Sequence, residues 1–353
     1  MFHKTLVSGS NMALHPVSGF GMFIIAIATP IMTGQAGAAV SYKYTDLGLG
    51  TAYDINNNGE VVGADGANAV VWKGTNKTIL GLGAAYGINN LGQVVGDIRD
   101  NAVLWNGTAA TALPDFDKES GVRSVSANDL NDVGQIIGSS VSDCCPSLDV
   151  YWKNYTTTPE LLGDKFGRAT AINNKGQIVV NAYLSTYVQN GTTHDYFDDW
   201  PYVTGINDVG HTVGGWDQAL LWYTPHGAPI VLKNLTGFSL STANAINNKD
   251  EVAGRSFNTF ADDAPTGHAT IWNHTSAIDL NTFLPADVLE AGWVLTNAET
   301  INDSGWIIGE AYNSSLGAQH AFVLTPIPEP ETYALFLVGL VLIGVLGRGT
   351  AVC

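Results

Sequence analysis

One phrase returns seven times along this 353-residue chain, and no other feature constrains its fold as strongly. It reads Ala-Tyr-Asp-Ile-Asn-Asn-Asn-Gly-Glu-Val-Val-Gly at 52–63 and Ala-Tyr-Gly-Ile-Asn-Asn-Leu-Gly-Gln-Val-Val-Gly at 85–96. Looser copies stand at 126–138, 170–180, 204–214, 244–254 and 299–309. The first Asn of the copies falls at Asn56, Asn89, Asn131, Asn173, Asn207, Asn247 and Asn302, so successive copies are 33, 42, 42, 34, 40 and 55 residues apart. Periods in this range belong to propeller blades and related arrays, in which one supersecondary unit is stacked on the next.

Each phrase has a mechanical meaning. Asn tolerates left-handed backbone angles and bonds its own backbone, and Gly reaches positive φ without a steric penalty. Ile-Asn-Asn-x-Gly is therefore a turn, and the Val-Val or Ile-Ile after it a buried strand, so each copy reads as a β-hairpin. The seven Asn residues are structural turn residues on this reading. A third strand follows, mostly ending in Trp: Ala69–Trp72, Ala102–Trp105, Asp149–Trp152, Ala219–Trp222 and Ala269–Trp272. An aromatic at one place in every unit points to packing between units. A fourth strand follows at 78–80, 112–114, 160–162, 230–232 and 277–280. Repeat seven stops after its third strand, while Tyr42–Gly48 is a lone fourth-strand phrase. That strand can complete the last unit and close a circle, which removes exposed sheet edges. The expected fold is all-β: a seven-bladed β-propeller of four-stranded blades closed by the N-terminal strand. An open β array is the alternative.

The two ends read differently. Lys4, the apolar run 19–32 and the small residues around Ala38 and Ala39 have the order of a secretory signal peptide. At the other end Pro328-Glu329-Pro330 precedes the apolar run 333–347 and then Arg348. The expected organisation is a signal peptide at 1–39, the propeller at 40–325, a Pro-rich linker at 326–332 and a transmembrane sorting tail at 333–353. The tail resembles a PEP-CTERM sorting signal, although it ends in one basic residue where a cluster is usual. That resemblance implies processing by an exosortase in a Gram-negative, exopolysaccharide-making bacterium. It also implies delivery to the cell surface or matrix, anchored to the membrane through the tail for some or all of the protein's life. The repeats are similar to the HAF family of bacterial extracellular repeats, which His320-Ala321-Phe322 matches literally. The HAF resemblance implies location and fold, and no reaction.

The chain carries 15 Lys and Arg against 32 Asp and Glu, a formal charge of −17, which argues against a nucleic-acid partner. Only three cysteines are present. The neighbours Cys144 and Cys145 leave a strained vicinal disulfide and two free thiols both open. No nucleophile elbow, zinc-type His pair or phosphate-cradling loop appears, so no catalytic, metal or cofactor residue is assigned. Asp54, Asn56, Asn58 and Asp65 imitate part of a calcium loop, but a turn explains all seven copies. Asp195, Asp198 and Asp199 lie near His194 and Trp200, a grouping of acids and aromatics that reads either as a solvated acidic loop or as a sugar-binding one, and Asp262 and Asp263 in another long loop read the same way. The function expected is a non-enzymatic surface or matrix protein that binds polysaccharide or another surface component. The alternative is a polysaccharide-active enzyme using loop carboxylates on one propeller face.

Overall fold

The computed structural model describes residues 41–99, 101–115, 122–142, 148–162, 167–182, 184–259 and 267–328. The leader, Cys144, Cys145, Asp262, Asp263, Glu329, Pro330, Arg348 and the C-terminal tail lie outside them. Among the described residues no helix is long and apolar enough to cross a membrane.

The seven copies build seven four-stranded antiparallel sheets. In blade 1 the strands run outward from the axis as Thr51–Ile55, Glu60–Asp65, Asn68–Lys73 and Asn76–Leu82. The other innermost strands are Ala84–Ile88, Val122–Leu130, Arg168–Ile172, Val203–Ile206, Leu240–Ile246 and Trp293–Ile301. Each touches the innermost strand of the next blade, and that of blade 7 touches blade 1, so the sheets form a closed ring. The chain is a seven-bladed β-propeller. Blade 7 takes its outer strand from the N-terminal side: Ser41–Leu49 pairs antiparallel with Ala318–Ile327, from Ser41 opposite Ile327 to Leu49 opposite His320.

The core lies between the blades. Trp72, Trp105, Trp152 and Trp272 are fully buried, and each packs with residues of its own blade and the one before. Trp72 sits with Val61 and Val70 of blade 1 and with Ile308 and Ala321 of blade 7. Wedge-shaped interfaces of this kind need one large flat ring per blade, which is why the aromatic recurs at the end of the third strand.

Three details differ from the sequence reading. The last strand continues through Pro326 to Ile327, beyond 325. Pro326 is tolerated because it stands near the strand end, past Leu324, where pairing with the neighbouring strand Ile307–Asn313 has stopped. The outer strand of blade 2 is Ala109–Ala112, earlier than 112–114, with the Leu113 amide still bonded to the Ala102 carbonyl. The 55-residue spacing holds a 3-10 turn at Leu280–Phe283 and a short α-helix at Ala286–Glu290 in the link between blades 6 and 7.

Candidate functional site

The seven turns meet at one end of the axis. Asn56 Oδ1 accepts from the amides of Asn58 and Glu60, closing its own turn. Its Nδ2 donates across the blade boundary to the Asn89 carbonyl at 3.1 Å. The same bond repeats from Asn89 to Asn131, Asn131 to Asn173, Asn173 to Asn207, Asn207 to Asn247 and Asn247 to Asn302, and Asn302 returns to the Asn56 carbonyl at 2.9 Å. All seven side chains are buried.

A second ring lies one residue further on. The backbone amides of Asn57, Asn90, Asp132, Asn174, Asp208, Asn248 and Asp303 each donate to Oδ1 of the next member, and Asp303 closes on Asn57. The two rings line a narrow neck enclosing about 200 Å³.

Beyond the neck the axis widens into a cavity of about 820 Å³. Its wall is built by an irregularity common to all seven blades. Each innermost strand carries a β-bulge three residues before the ring Asn. The extra residues are Tyr53, Tyr86, Asn128, Thr170, Thr204, Asn244 and Glu299, and every one lines the cavity. A bulge leaves its extra residue out of the ladder and re-aims its side chain. It also brings the inner strand close to its neighbour: a Cβ on Gly63 would stand 1.9 Å from the Thr51 carbonyl oxygen. The same close contact is met by the Gly that ends six of the seven copies, while the fourth copy carries Val180 there.

The bulge ring divides into two arcs. In blades 4, 5 and 6 the side chain is a clasp to the next blade. Thr170 Oγ1 donates to the Val203 carbonyl at 2.8 Å, Thr204 Oγ1 to Ala243 at 2.8 Å and Asn244 Nδ2 to Ala298 at 2.9 Å. In blades 7, 1, 2 and 3 the residues are Glu299, Tyr53, Tyr86 and Asn128, and none makes that bond. Glu299 accepts from Asn297 Nδ2 within its own strand, and Asn128 accepts from Ser126. Tyr53 and Tyr86 lie with ring centroids 5.3 Å apart.

This arc is acidic. Asp54 and Asp129 also line the cavity. Burial raises both carboxyls, and the charge of Asp129 adds to the effect on Asp54. Each is a clasp as well: Asp54 accepts from the amides of Ile55 and Ile88, and Asp129 from those of Leu130 and Ile172. Burial, with the charge of Glu310, pushes Glu299 up to about 7, and Arg255 opposes the shift. Burial and a bond to Asp97 push the Tyr86 hydroxyl up to about 12.

The acidic and aromatic loop noticed in the sequence is elsewhere. Asp195 lies on the outer strand Thr193–Tyr196 of blade 4. Asp195 and Asp198 bracket His226 of blade 5 at 3.1 Å each, and hydrogen bonding to Asp198 raises the imidazole pKa. Asp199 and Trp200 are exposed, and the structure does not bring this group to the axis. Asp65, offered as a calcium ligand, is bonded to Lys77 at 2.5 Å at the far end of its strand, while Asn56 and Asn58 serve the turn. Those residues do not converge, and no cluster of three or more His, Cys, Asp or Glu suited to a metal occurs among the described residues.

No family model matches the sequence, and no curated protein matches it. Among solved structures, the chain is similar to one described as YCF48 bound to D1 peptide, with 10% identity, a TM-score of 0.49 and coverage of 84% of this chain and 98% of that one. It is also similar to the WD40 domain of SCAP from fission yeast, with 10% identity, a TM-score of 0.36 and coverage of 82% and 90%.

Proposed function

We propose that this chain is an exported, non-enzymatic binding module of the cell surface or extracellular matrix that takes a polysaccharide or another surface component at the wide end of its axial cavity. The observation that carries the binding reading is the division of the bulge ring. Three blades use their bulge residue as a clasp, while four adjacent blades direct Glu299, Tyr53, Tyr86 and Asn128 into the cavity. Pockets that bind small groups combine aromatic faces with a few convergent polar atoms, and this arc supplies both. Export and surface anchoring rest on the leader at 1–39 and the tail with Pro328, Glu329, Pro330 and Arg348, read as a PEP-CTERM signal for an exosortase.

Glycoside cleavage needs two carboxyls free to exchange protons with substrate and water. Asp54 and Asp129 both have their oxygens bonded to backbone amides, and Asp195 and Asp198 are paired with His226. The reading is tested by exposing the full chain to an immobilised glycan panel while new reducing ends are assayed in the same wells. Saturable binding without reducing-end release, lost in Tyr53→Ala, is expected. Release that disappears with one carboxylate substitution would replace this reading with the enzyme, and binding unaffected by Tyr53→Ala would remove the cavity from it.

A further inference from the structure

Blade 5 is cut short, and only at the end away from the neck. Its second strand is Thr212–Gly214, stopping at the Gly that ends the repeat phrase, whereas the equivalent strands of blades 1, 6 and 7 run on to Asp65, Phe257 and Asn313. Its third strand, Leu220–Trp222, starts two residues before the Trp, where those of blades 1, 2, 3 and 6 start four before. The sheet of blade 5 therefore carries a notch at this end, spanned by the five-residue link 215–219 outside the ladder.

The notch is finished by a built turn. The Gly215 amide donates to the Tyr202 carbonyl at 2.8 Å, and Gly215 has φ +108. A Cβ on Gly215 would stand 1.9 Å from the Gln218 carbonyl oxygen, so only glycine fits there. This turn projects Trp216, whose side of the notch faces solvent at 63% exposure, and lays its ring on Tyr202 with centroids 4.5 Å apart. Trp200, two residues before Tyr202, is 66% exposed and sits at φ +48, an uncommon angle for a bulky side chain. Large exposed rings held on a constrained backbone are preorganised for a flat partner.

Resting on the binding reading above, we infer that the blade 5 notch is the landing for a neutral glycan chain: Trp216 on Tyr202 carries sugar units outside the axis, and the chain end crosses into the cavity towards Tyr53, Tyr86 and Glu299. The class follows from the surfaces. The C–H face of a pyranose matches an indole ring, and its hydroxyls match the Asn, Tyr and carboxyl groups of the cavity wall. The chain's charge of −17 disfavours a uronate.

The test is titration calorimetry on the full chain with hexasaccharides of β-1,4-glucan, β-1,3-glucan, α-1,4-glucan, β-1,4-mannan and chitin, each beside its disaccharide, and with hexagalacturonate. At least one neutral hexamer is expected to bind about tenfold more tightly than its dimer, the contribution of one aromatic platform. Trp216→Ala should abolish that length preference and leave the dimer unchanged, and Trp216→Phe should restore most of it. An unchanged preference in Trp216→Ala, no neutral hexamer bound above its dimer, or tightest binding of hexagalacturonate would overturn the inference. If Tyr53→Ala abolishes binding while Trp216→Ala does not alter it, the notch falls and the cavity stands. If no saccharide binds, both fall.

Discussion

At the residue scale, the ring Asn has four tasks that no other side chain combines. Its oxygen accepts two amides of its own turn, and its NH2 donates to the next blade and, in five blades, to a Glu or Gln four residues on, as Asn89 does to Gln93; His211 and Trp306 stand at that place in blades 5 and 7. Blade 5 is informative because that Gln is replaced by His211. There Asn207 Nδ2 turns to Asp250 of blade 6 at 2.9 Å, and His211 Nδ1 lies 2.8 Å from the same oxygen. Asp250 occupies the position that is Gly in the other six turns and has φ +61. The departure in one blade is thus compensated by a departure in its neighbour. Asp250→Gly should destabilise the protein by about 1–2 kcal/mol, and adding His211→Gln should recover most of the loss, since the Gln can then serve Asn207. Chemical denaturation of the two single variants and the double variant measures this. Asn131→Ala should cost about 2–3 kcal/mol through unmet buried partners. Asn131→Asp should cost more at neutral pH, because a carboxylate would face the Asn173 carbonyl and Gln135 Oε1, and acidification should restore part of the loss. An Asp variant more stable than the Ala variant at pH 7 would contradict the assigned donor.

At the scale of the element, the inner strand shows what the sequence made legible and what it did not. The turn was legible because its chemistry is local, and the circular closure because strands could be counted. Tyr42 and Leu47 are both buried in the closing strand, so Leu47→Ala should lower stability by about 3 kcal/mol and speed hydrogen exchange in Ala318–Ile327. An effect confined to the N-terminal strand would argue against closure. The bulge ring is not legible as a motif because its residues share no chemical type. A signal was present all the same. Ala52 and Ile55, and the pairs Ala85 and Ile88, Ala127 and Leu130, Ala169 and Ile172, are buried three residues apart. Period-two alternation would place such pairs on opposite faces, so one extra residue must intervene. The hydrogen-bonded rings were beyond local reading, since Asn302 meets Asn56 across 246 residues. The loop at Asp195 and Trp200 was conspicuous in composition, yet its partner His226 comes from the next blade.

At the scale of the molecule, seven is an odd number, and the second ring reflects it. Amide and carboxylate alternate around the neck until one like pair is forced, and that pair is Asn57 and Asn90, two neutral groups. The wide cavity is less balanced. Burial raises Asp54, Asp129 and Glu299, so the native state binds protons more tightly than the unfolded chain. Their contribution to stability is complete below the ordinary carboxylate range and is lost as pH rises, by about 7 for Glu299. Thermal midpoints should therefore fall between pH 5 and pH 8, and Glu299→Gln should flatten that fall and melt above the parent at pH 8. An equal slope in both proteins would show that Glu299 is not held protonated. The central claim is that ligand is taken by the arc of blades 7, 1, 2 and 3. Its most direct test is to titrate a glycan retained by the parent protein into single substitutions of all seven bulge residues, with folding checked by melting. Loss of affinity is predicted for Glu299→Gln, Tyr53→Ala, Tyr86→Ala and Asn128→Ala, with Thr170→Val, Thr204→Val and Asn244→Ala destabilised but still binding. Loss spread evenly around the ring, or none at Tyr53 and Glu299, would contradict it.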